Sequence, residues 1–226
     1  MSYFRLSLAV AAISVFLTSE PVQAGPLDVE ADISAVNDYR FRGLSLSDHR
    51  LALQANVTVS HGSGVYGNVF ASTIDEYGQN LNGKGATVEL DYSIGWTFET
   101  AGMDFDVSAA AYTYPGGHDV DYVELPMQVS RGFGSWTGLA GLAYSPEQHA
   151  LDRDNRYVWL GLDHDGAGLP VVVSTRLGKE DGAFASDKID WSLTASRQLG
   201  SVQASAGYVD SDQSGAALVV SLGLKF

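Results

Sequence analysis

The sequence predicts an all-β protein: a transmembrane antiparallel up-and-down β-barrel of about 12 strands over residues 25–226, behind a cleaved signal peptide over residues 1–24. Three observations predict it. Apolar and polar residues alternate with a period of two along most of the chain. The connections between these segments take turns between short and long. After the leader, no run approaches the ~20 apolar residues that a membrane helix needs. Composition agrees, since 25 Gly with 11 Tyr, 9 Phe and 4 Trp suit tight turns and strands better than a helical bundle.

Charge and cysteine content remove several functions at once. Thirteen Lys and Arg against 27 Asp and Glu leave a net charge of −14, and no basic cluster exists to displace counterions from a polyanion. Nucleic acid is therefore excluded as a partner. With no cysteine, disulfide scaffolds, thiolate zinc sites and thiol nucleophiles are excluded too.

The leader comes first in the chain. Arg5 gives a short positive start, residues 6–17 form an apolar run, and Val22 and Ala24 place small residues at −3 and −1 of a cut before Gly25. The run is too short to span a bilayer as an anchor. The strands follow, at residues 28–41, 51–60, 65–74, 86–98, 104–114, 122–132, 135–145, 156–164, 169–177, 187–198, 201–210 and 216–226. Alternation is cleanest where Leu51, Leu53, Ala55, Val57 and Val59 oppose Gln54, Asn56, Thr58 and Ser60. It is equally clear where Val88, Leu90, Tyr92, Ile94 and Trp96 oppose Glu89, Asp91 and Ser93, and where Ile189, Trp191 and Leu193 oppose Lys188, Asp190 and Ser192. It is weak at 65–74, 135–145 and 156–164, where Tyr157/Trp159 and Val158/Leu160 compete for the outer face.

Tight connections at 61–64, 99–103, 133–135, 165–168 and 199–201 alternate with mostly longer polar ones at 42–50, 75–85, 115–121, 146–155, 178–186 and 211–215. An antiparallel barrel sorts these into a short-turn rim and a long-loop rim, as outer-membrane barrels do. A soluble sandwich would show the same alternation. Lipid is favoured because charges avoid the apolar sets and because a closed sheet leaves no edge unpaired in hydrocarbon. Aromatics also gather at strand ends, with Phe98, Phe105, Phe133, Trp136 and Phe226 at the short turns. Tyr39, Phe41, Tyr112, Tyr114, Tyr144, Tyr157 and Tyr208 would form the second girdle, at the long loops. The tail, with Leu218, Val220, Leu222, Leu224 and Phe226 on one face, resembles the C-terminal signal of bacterial outer-membrane proteins.

A family resemblance rests on specific residues. Asn37-Asp38-Tyr39-Arg40-Phe41-Arg42-Gly43-Leu44-Ser45-Leu46-Ser47-Asp48 resembles the first-strand signature of the proteobacterial TorF-type porins. The segments Gly64-Val65-Tyr66-Gly67-Asn68-Val69-Phe70-Ala71-Ser72, Leu90-Asp91-Tyr92, Tyr112-Thr113-Tyr114-Pro115-Gly116 and Asp121-Tyr122-Val123-Glu124 resemble later motifs of that family. The likeness covers the N-terminal two thirds by motif and the rest by pattern. It implies an exported outer-membrane barrel.

Little in the chain points to catalysis, so no enzyme is expected. His49, His61, His118, His149 and His164 all fall in loops, turns or strand ends, without a lipase-type context or zinc-ligand spacing. Asp210-Ser211-Asp212-Gln213-Ser214-Gly215 starts like a calcium loop but has Ser221 where the bidentate Glu belongs, so it reads as a polar hairpin. No cofactor and no resident metal are expected. Acidic loop residues Asp75, Glu76, Asp119, Asp152, Asp154, Glu180 and Asp181 are placed to hold divalent ions weakly near lipopolysaccharide.

With the apolar sets outside, the lumen receives Glu30, Asp32, Asp38, Glu89, Asp91, Asp104, Asp106, Glu124 and Asp190 against Arg40, Arg42, Arg176, Lys188 and Lys225. Acids outnumber bases, and a narrow duct of this kind favours cations. The sequence thus predicts a weakly cation-preferring outer-membrane channel for small hydrophilic solutes. Its pore lining would be Asp38, Arg40, Arg42, Glu89, Asp91, Glu124, Arg176, Lys188 and Asp190, with Arg40 and Arg42 at the outer mouth facing Glu89, Asp91 and Glu124. The competing expectation is a closed structural or adhesive barrel, sealed by ion pairs across the lumen. Expected partners are outer-membrane lipid and lipopolysaccharide, and the barrel-assembly machinery through the strand ending at Phe226.

Overall fold

The structure, a computed structural model, describes residues 27–79, 82–166 and 171–226. The signal peptide expected over 1–24 lies outside the described residues, as do Leu169 and Pro170 at the head of the strand expected over 169–177. The described strands are β1 (Leu27–Val36), β2 (Arg40–Phe41), β3 (Leu44–Ser45), β4 (Ala52–His61), β5 (Val65–Tyr77), β6 (Ala86–Thr100) and β7 (Met103–Thr113). They continue with β8 (Tyr122–Phe133), β9 (Trp136–Ser145), β10 (Asn155–Asp165), β11 (Val172–Gly182), β12 (Lys188–Leu199), β13 (Val202–Ser211) and β14 (Ser214–Lys225). β1 and β4 to β14 close into one antiparallel barrel, and β2 pairs only with β3.

The period-two pattern forms the wall because successive side chains of a strand point to opposite faces. Ile94, Leu160, Leu193, Leu218 and Leu222 stand exposed on the outside, with Leu160 at 63 %. Glu89, Asp91, Asp106, Glu124, Lys188 and Thr194 are buried on the inside. This inversion of a soluble fold requires hydrocarbon around the barrel. A test follows from mid-wall Leu160, which pairs with Ala140 and Leu177. Leu160→Arg is expected to destabilise the inserted barrel by ~2–4 kcal/mol, read from denaturant unfolding in lipid, whereas Ser192→Arg on the wet face should cost much less.

The structure corrects the sequence reading in four places. The first strand stops at Val36 rather than running to residue 41, and the chain turns into the lumen. Second, Tyr157 faces inward with Trp159, because the neighbouring strands offer glycines beneath the rings. A Cβ at Gly178 would stand 2.1 Å from the Tyr157 hydroxyl, and one at Gly141 2.0 Å from the Trp159 ring. Third, Tyr39, Tyr112, Tyr114 and Tyr157 are buried inside and are not part of an outer girdle, while Tyr92, Trp191 and Tyr208 are exposed. Fourth, β11 continues to Gly182, paired with Asn155, so Glu180 is a buried lumen residue and not a loop acid available to ions.

Candidate functional site

Residues 38–47 fold into the long-loop half of the lumen, and Asn37 starts the turn. Its N–H donates to Val220 O at 3.1 Å, and its side-chain carbonyl accepts from Val220 N at 2.6 Å. Its side-chain amide donates to Leu218 O at 3.0 Å. The side chain thus takes over ladder bonds of a strand that no longer continues. Inside the barrel β2 and β3 pair through Arg40↔Ser45 and Phe41↔Leu44, joined by Arg42 (φ 48°) and Gly43 (φ 84°). Two successive left-handed residues make the type I′ turn that matches strand twist. Gly43 also abuts the wall: a Cβ there would lie 2.7 Å from Ser211 Cβ and 2.9 Å from Asp190 Cβ.

A clasp holds the base of the hairpin. Arg40 Nε donates to Asp38 Oδ2 at 2.7 Å, and its Nη1 donates to Gly43 O at 2.8 Å and Gly215 O at 2.9 Å. Ser45 Oγ donates to Asp38 Oδ1 at 2.6 Å, and His49 Nδ1 lies 3.1 Å from both Arg40 Nη2 and Asp38 Oδ2. Burial pushes the Asp38 carboxyl up, but the hydrogen bonds from Ser45 and Arg40 and the Arg40 charge outweigh it and hold it below its ordinary 3.8. The Asp38 carboxyl is therefore ionised at neutral pH. Leu46 O accepts from Asp75 N at 2.7 Å, and Arg50 pairs with Asp75, which ties the hairpin's return to β5.

The tip crosses to the opposite wall. Arg42 Nη2 donates to Glu124 Oε2 of β8 at 2.6 Å, and Nη1 donates to Glu180 Oε1 of β11 at 2.7 Å. Its Cζ lies 4.3 Å from the Tyr157 ring centroid and 4.5 Å from that of Phe41, close enough for cation–π attraction. Lys188, fully buried, pairs with Glu180 Oε2 at 2.6 Å and donates to Arg42 O at 2.7 Å. Wall groups orient the carboxylates. Tyr112 and Ser145 hydroxyls donate to Glu124 at 3.2 and 3.3 Å, Asn155 donates to Glu180 at 2.9 Å, and Tyr157 donates to Asp190 at 3.0 Å.

Glu89 accepts from Tyr39 at 2.6 Å and Tyr114 at 2.8 Å. Asp91, 3 % exposed, sits between Phe70 and Tyr112 in the register, and neither of its oxygens has a hydrogen-bond partner. Below the hairpin, a cavity of about 40 Å³ runs from Asp38 and Arg40 past Gln54, Ser205 and Ser221 to Lys225. That is space for on the order of three waters. Arg176 lies lower in the lumen, paired with Asp163 at 2.6 Å and partly exposed. Among the described residues, no His, Asp and Glu group is arranged to hold a metal ion.

Of the lumen residues expected from sequence, Glu89, Asp91, Glu124, Lys188 and Asp190 line one layer with the hairpin, and Arg176 lies apart from it. Asp38, Arg40 and Arg42 reach the lumen on the hairpin and not on a wall strand, because the I′ turn at Arg42-Gly43 reverses the chain. Of the expected facing of Arg40 and Arg42 toward Glu89, Asp91 and Glu124, the structure holds the Arg42–Glu124 pair, adds Glu180 to it, and turns Arg40 onto Asp38 instead. Glu180 was expected as a loop acid and not as a lumen residue. Its parity with Ser174 and Arg176 was the available signal, masked by flanking glycines.

The chain is similar to several solved structures. The Acinetobacter baumannii outer membrane protein Omp33 is 9 % identical with a TM-score of 0.50, over 88 % of this chain and 97 % of that one. Salmonella typhi OmpF in complex with daunomycin is 9 % identical with a TM-score of 0.47, over 88 % and 97 %. A porin is 20 % identical with a TM-score of 0.40, over 77 % of this chain. This chain spans 61 % of that porin and 57 % of Pseudomonas aeruginosa OpdQ. The Omp33 likeness shows the barrel fold. No curated protein matches the chain. Residues 20–225 match the family model described as "Bacterial protein of unknown function (Gcw_chp)", and the chain belongs to that family.

Proposed function

We propose that the protein is an outer-membrane channel for small hydrophilic solutes, with the inward hairpin as its constriction and a weak preference for cations. One observation carries this reading. The cavity rises to Asp38 and Arg40, and the His49 side chain beside them is 62 % exposed, so along this path the clasp of Asp38, Arg40 and His49 stands between the cavity and the outer face. A passage narrowed by such a clasp conducts when the clasp rearranges. Carboxylates outnumber cationic groups around the layer, which favours cations. The resemblance to TorF-type porins supports the same reading, because its signature residues Asn37, Tyr39, Phe41, Arg42, Gly43 and Ser45 are those that build the hairpin. The leader expected over 1–24 and the apolar exterior support an outer-membrane location, and the site's ion pairs serve passage and not catalysis.

A second reading, a closed barrel with a permanent stopper, is favoured by the near-complete burial of Lys188 and Glu124 beneath the hairpin. Planar-bilayer recording separates the two. A channel gives discrete small conductance whose reversal potential in a KCl gradient has the cation-selective sign, and Arg40→Ala raises that conductance several-fold. Silence from both proteins in bilayers that contain folded barrel leaves the stopper.

A further inference from the structure

The contacts of Arg42 describe the wall as much as the hairpin. Glu124, Glu180 and Tyr157 come from β8, β11 and β10, and none belongs to the segment that carries Arg42. Two carboxylates approach different terminal nitrogens of one guanidinium at 2.6 and 2.7 Å, while an aromatic ring covers its face at 4.3 Å. This suits a planar fork of donors. An ammonium has no plane to stack and cannot split its charge between two such oxygens in the same way.

The wall also holds these carboxylates in place without the guest. Tyr112 and Ser145 orient Glu124, and Asn155 and Lys188 orient Glu180. A site whose groups are fixed by their own neighbours is preorganised for whatever occupies it. The hairpin, by contrast, delivers Arg42 from a left-handed backbone position, φ 48°, which a side-chain-bearing residue adopts at a cost. Farther along the same face, Asp91 presents two buried oxygens without a hydrogen-bond partner, so Arg42 leaves acceptors of this layer unmatched.

We infer that the lumen wall carries a binding site for guanidinium-bearing solutes, occupied in this structure by the protein's own Arg42. The hairpin is a tethered occupant, and a solute with the same head group competes with it for Glu124, Glu180 and the Tyr157 face. This rests on the reading of the barrel as a passage and names the solute chemistry that its constriction selects.

The test empties the site and offers it a free guest. In detergent-folded Arg42→Ala, saturating methylguanidinium is expected to raise the thermal unfolding midpoint by roughly 5–10 °C. Methylammonium or KCl at equal ionic strength should not, and wild type, whose site is filled, should shift little. Adding Glu124→Gln and Glu180→Gln to Arg42→Ala should abolish the gain. No selective rise, or a rise that survives loss of both carboxylates, overturns the inference. Should Arg42→Ala fold poorly, refolding yield read from heat-modifiable gel mobility replaces the midpoint, with recovery expected in methylguanidinium alone; equal recovery in methylammonium overturns the inference. Bilayer recording of the same variant keeps the two proposals apart. Selective rescue without any conductance removes the channel and leaves the site, whereas conductance without selective rescue removes the site and leaves the channel.

Discussion

Lys188→Met is expected to destabilise the barrel by about 3–5 kcal/mol, the loss typical when one member of a buried ion pair is removed and its partner stays charged. Lys188 has no exposed surface, and its ammonium meets Glu180 at 2.6 Å, Asp190 at 3.9 Å and the Arg42 carbonyl at 2.7 Å. Methionine fills the volume but satisfies none of these groups. Glu180 would keep only Arg42 as a cationic partner, and the hairpin tip would lose its anchor on β12. Lys179→Met is the control. Lys179 pairs with Asp187 at 2.9 Å, but that pair is 55 % and 76 % exposed on the loop rim. Solvent screens it, so its loss should leave the unfolding midpoint unchanged. Equal effects from the two substitutions in equilibrium unfolding would refute the buried lock.

Gly43→Val should unseat the hairpin while leaving the wall intact. Two costs act together. A β-branched residue at φ 84° is strained by ~1–2 kcal/mol or more, and the added carbon would overlap Ser211 and Asp190 on the wall, at a typical cost of ~1–3 kcal/mol. Gly102→Val separates these contributions, because Gly102 has φ 71° but open space around it. The expected result is new protease cleavage within residues 37–51 and a raised bilayer conductance for Gly43→Val, with neither for Gly102→Val. Cleavage patterns identical to wild type would show that the tip tolerates a side chain and is not fitted to β12 and β13.

The wall was legible in the sequence because its two faces differ in chemistry as well as in spacing. Leu51 to Ser60, Val88 to Phe98 and Ile189 to Ser196 carry opposite chemistry on alternate residues, and each became a strand with the expected side outward. The hairpin was not legible from parity. Asp38, Arg40 and Arg42 keep the same even spacing as a lumen face, so an unbroken strand and an inward reversal share one pattern. The discriminating signal was Arg42-Gly43 between alternating residues, a two-residue turn. The buried tyrosines misled for a related reason. Tyr112 shares parity with Ser108 and Ala110, so it points inward whatever its preference for interfaces. Register, which a long-range partner fixes, outweighed composition there.

The seam between the first and last wall strands has consequences for assembly. β1 and β14 align from Asp32↔Lys225 to Val36↔Ser221, and Ala31 and Phe226 exchange backbone hydrogen bonds at the end of the seam. Above them, Asn37 and Arg40 carry the junction onward to Leu218, Val220 and Gly215. Those contacts join residues 175 to 183 positions apart, so they form only once nearly the whole polypeptide has been laid into the sheet. The seam contacts of the N-terminal signature therefore form late, after its local bonds to Asp38 and Asp75. A truncated or stalled intermediate would keep residues 37–51 loose, which makes the plug a built-in report on whether the circle has closed.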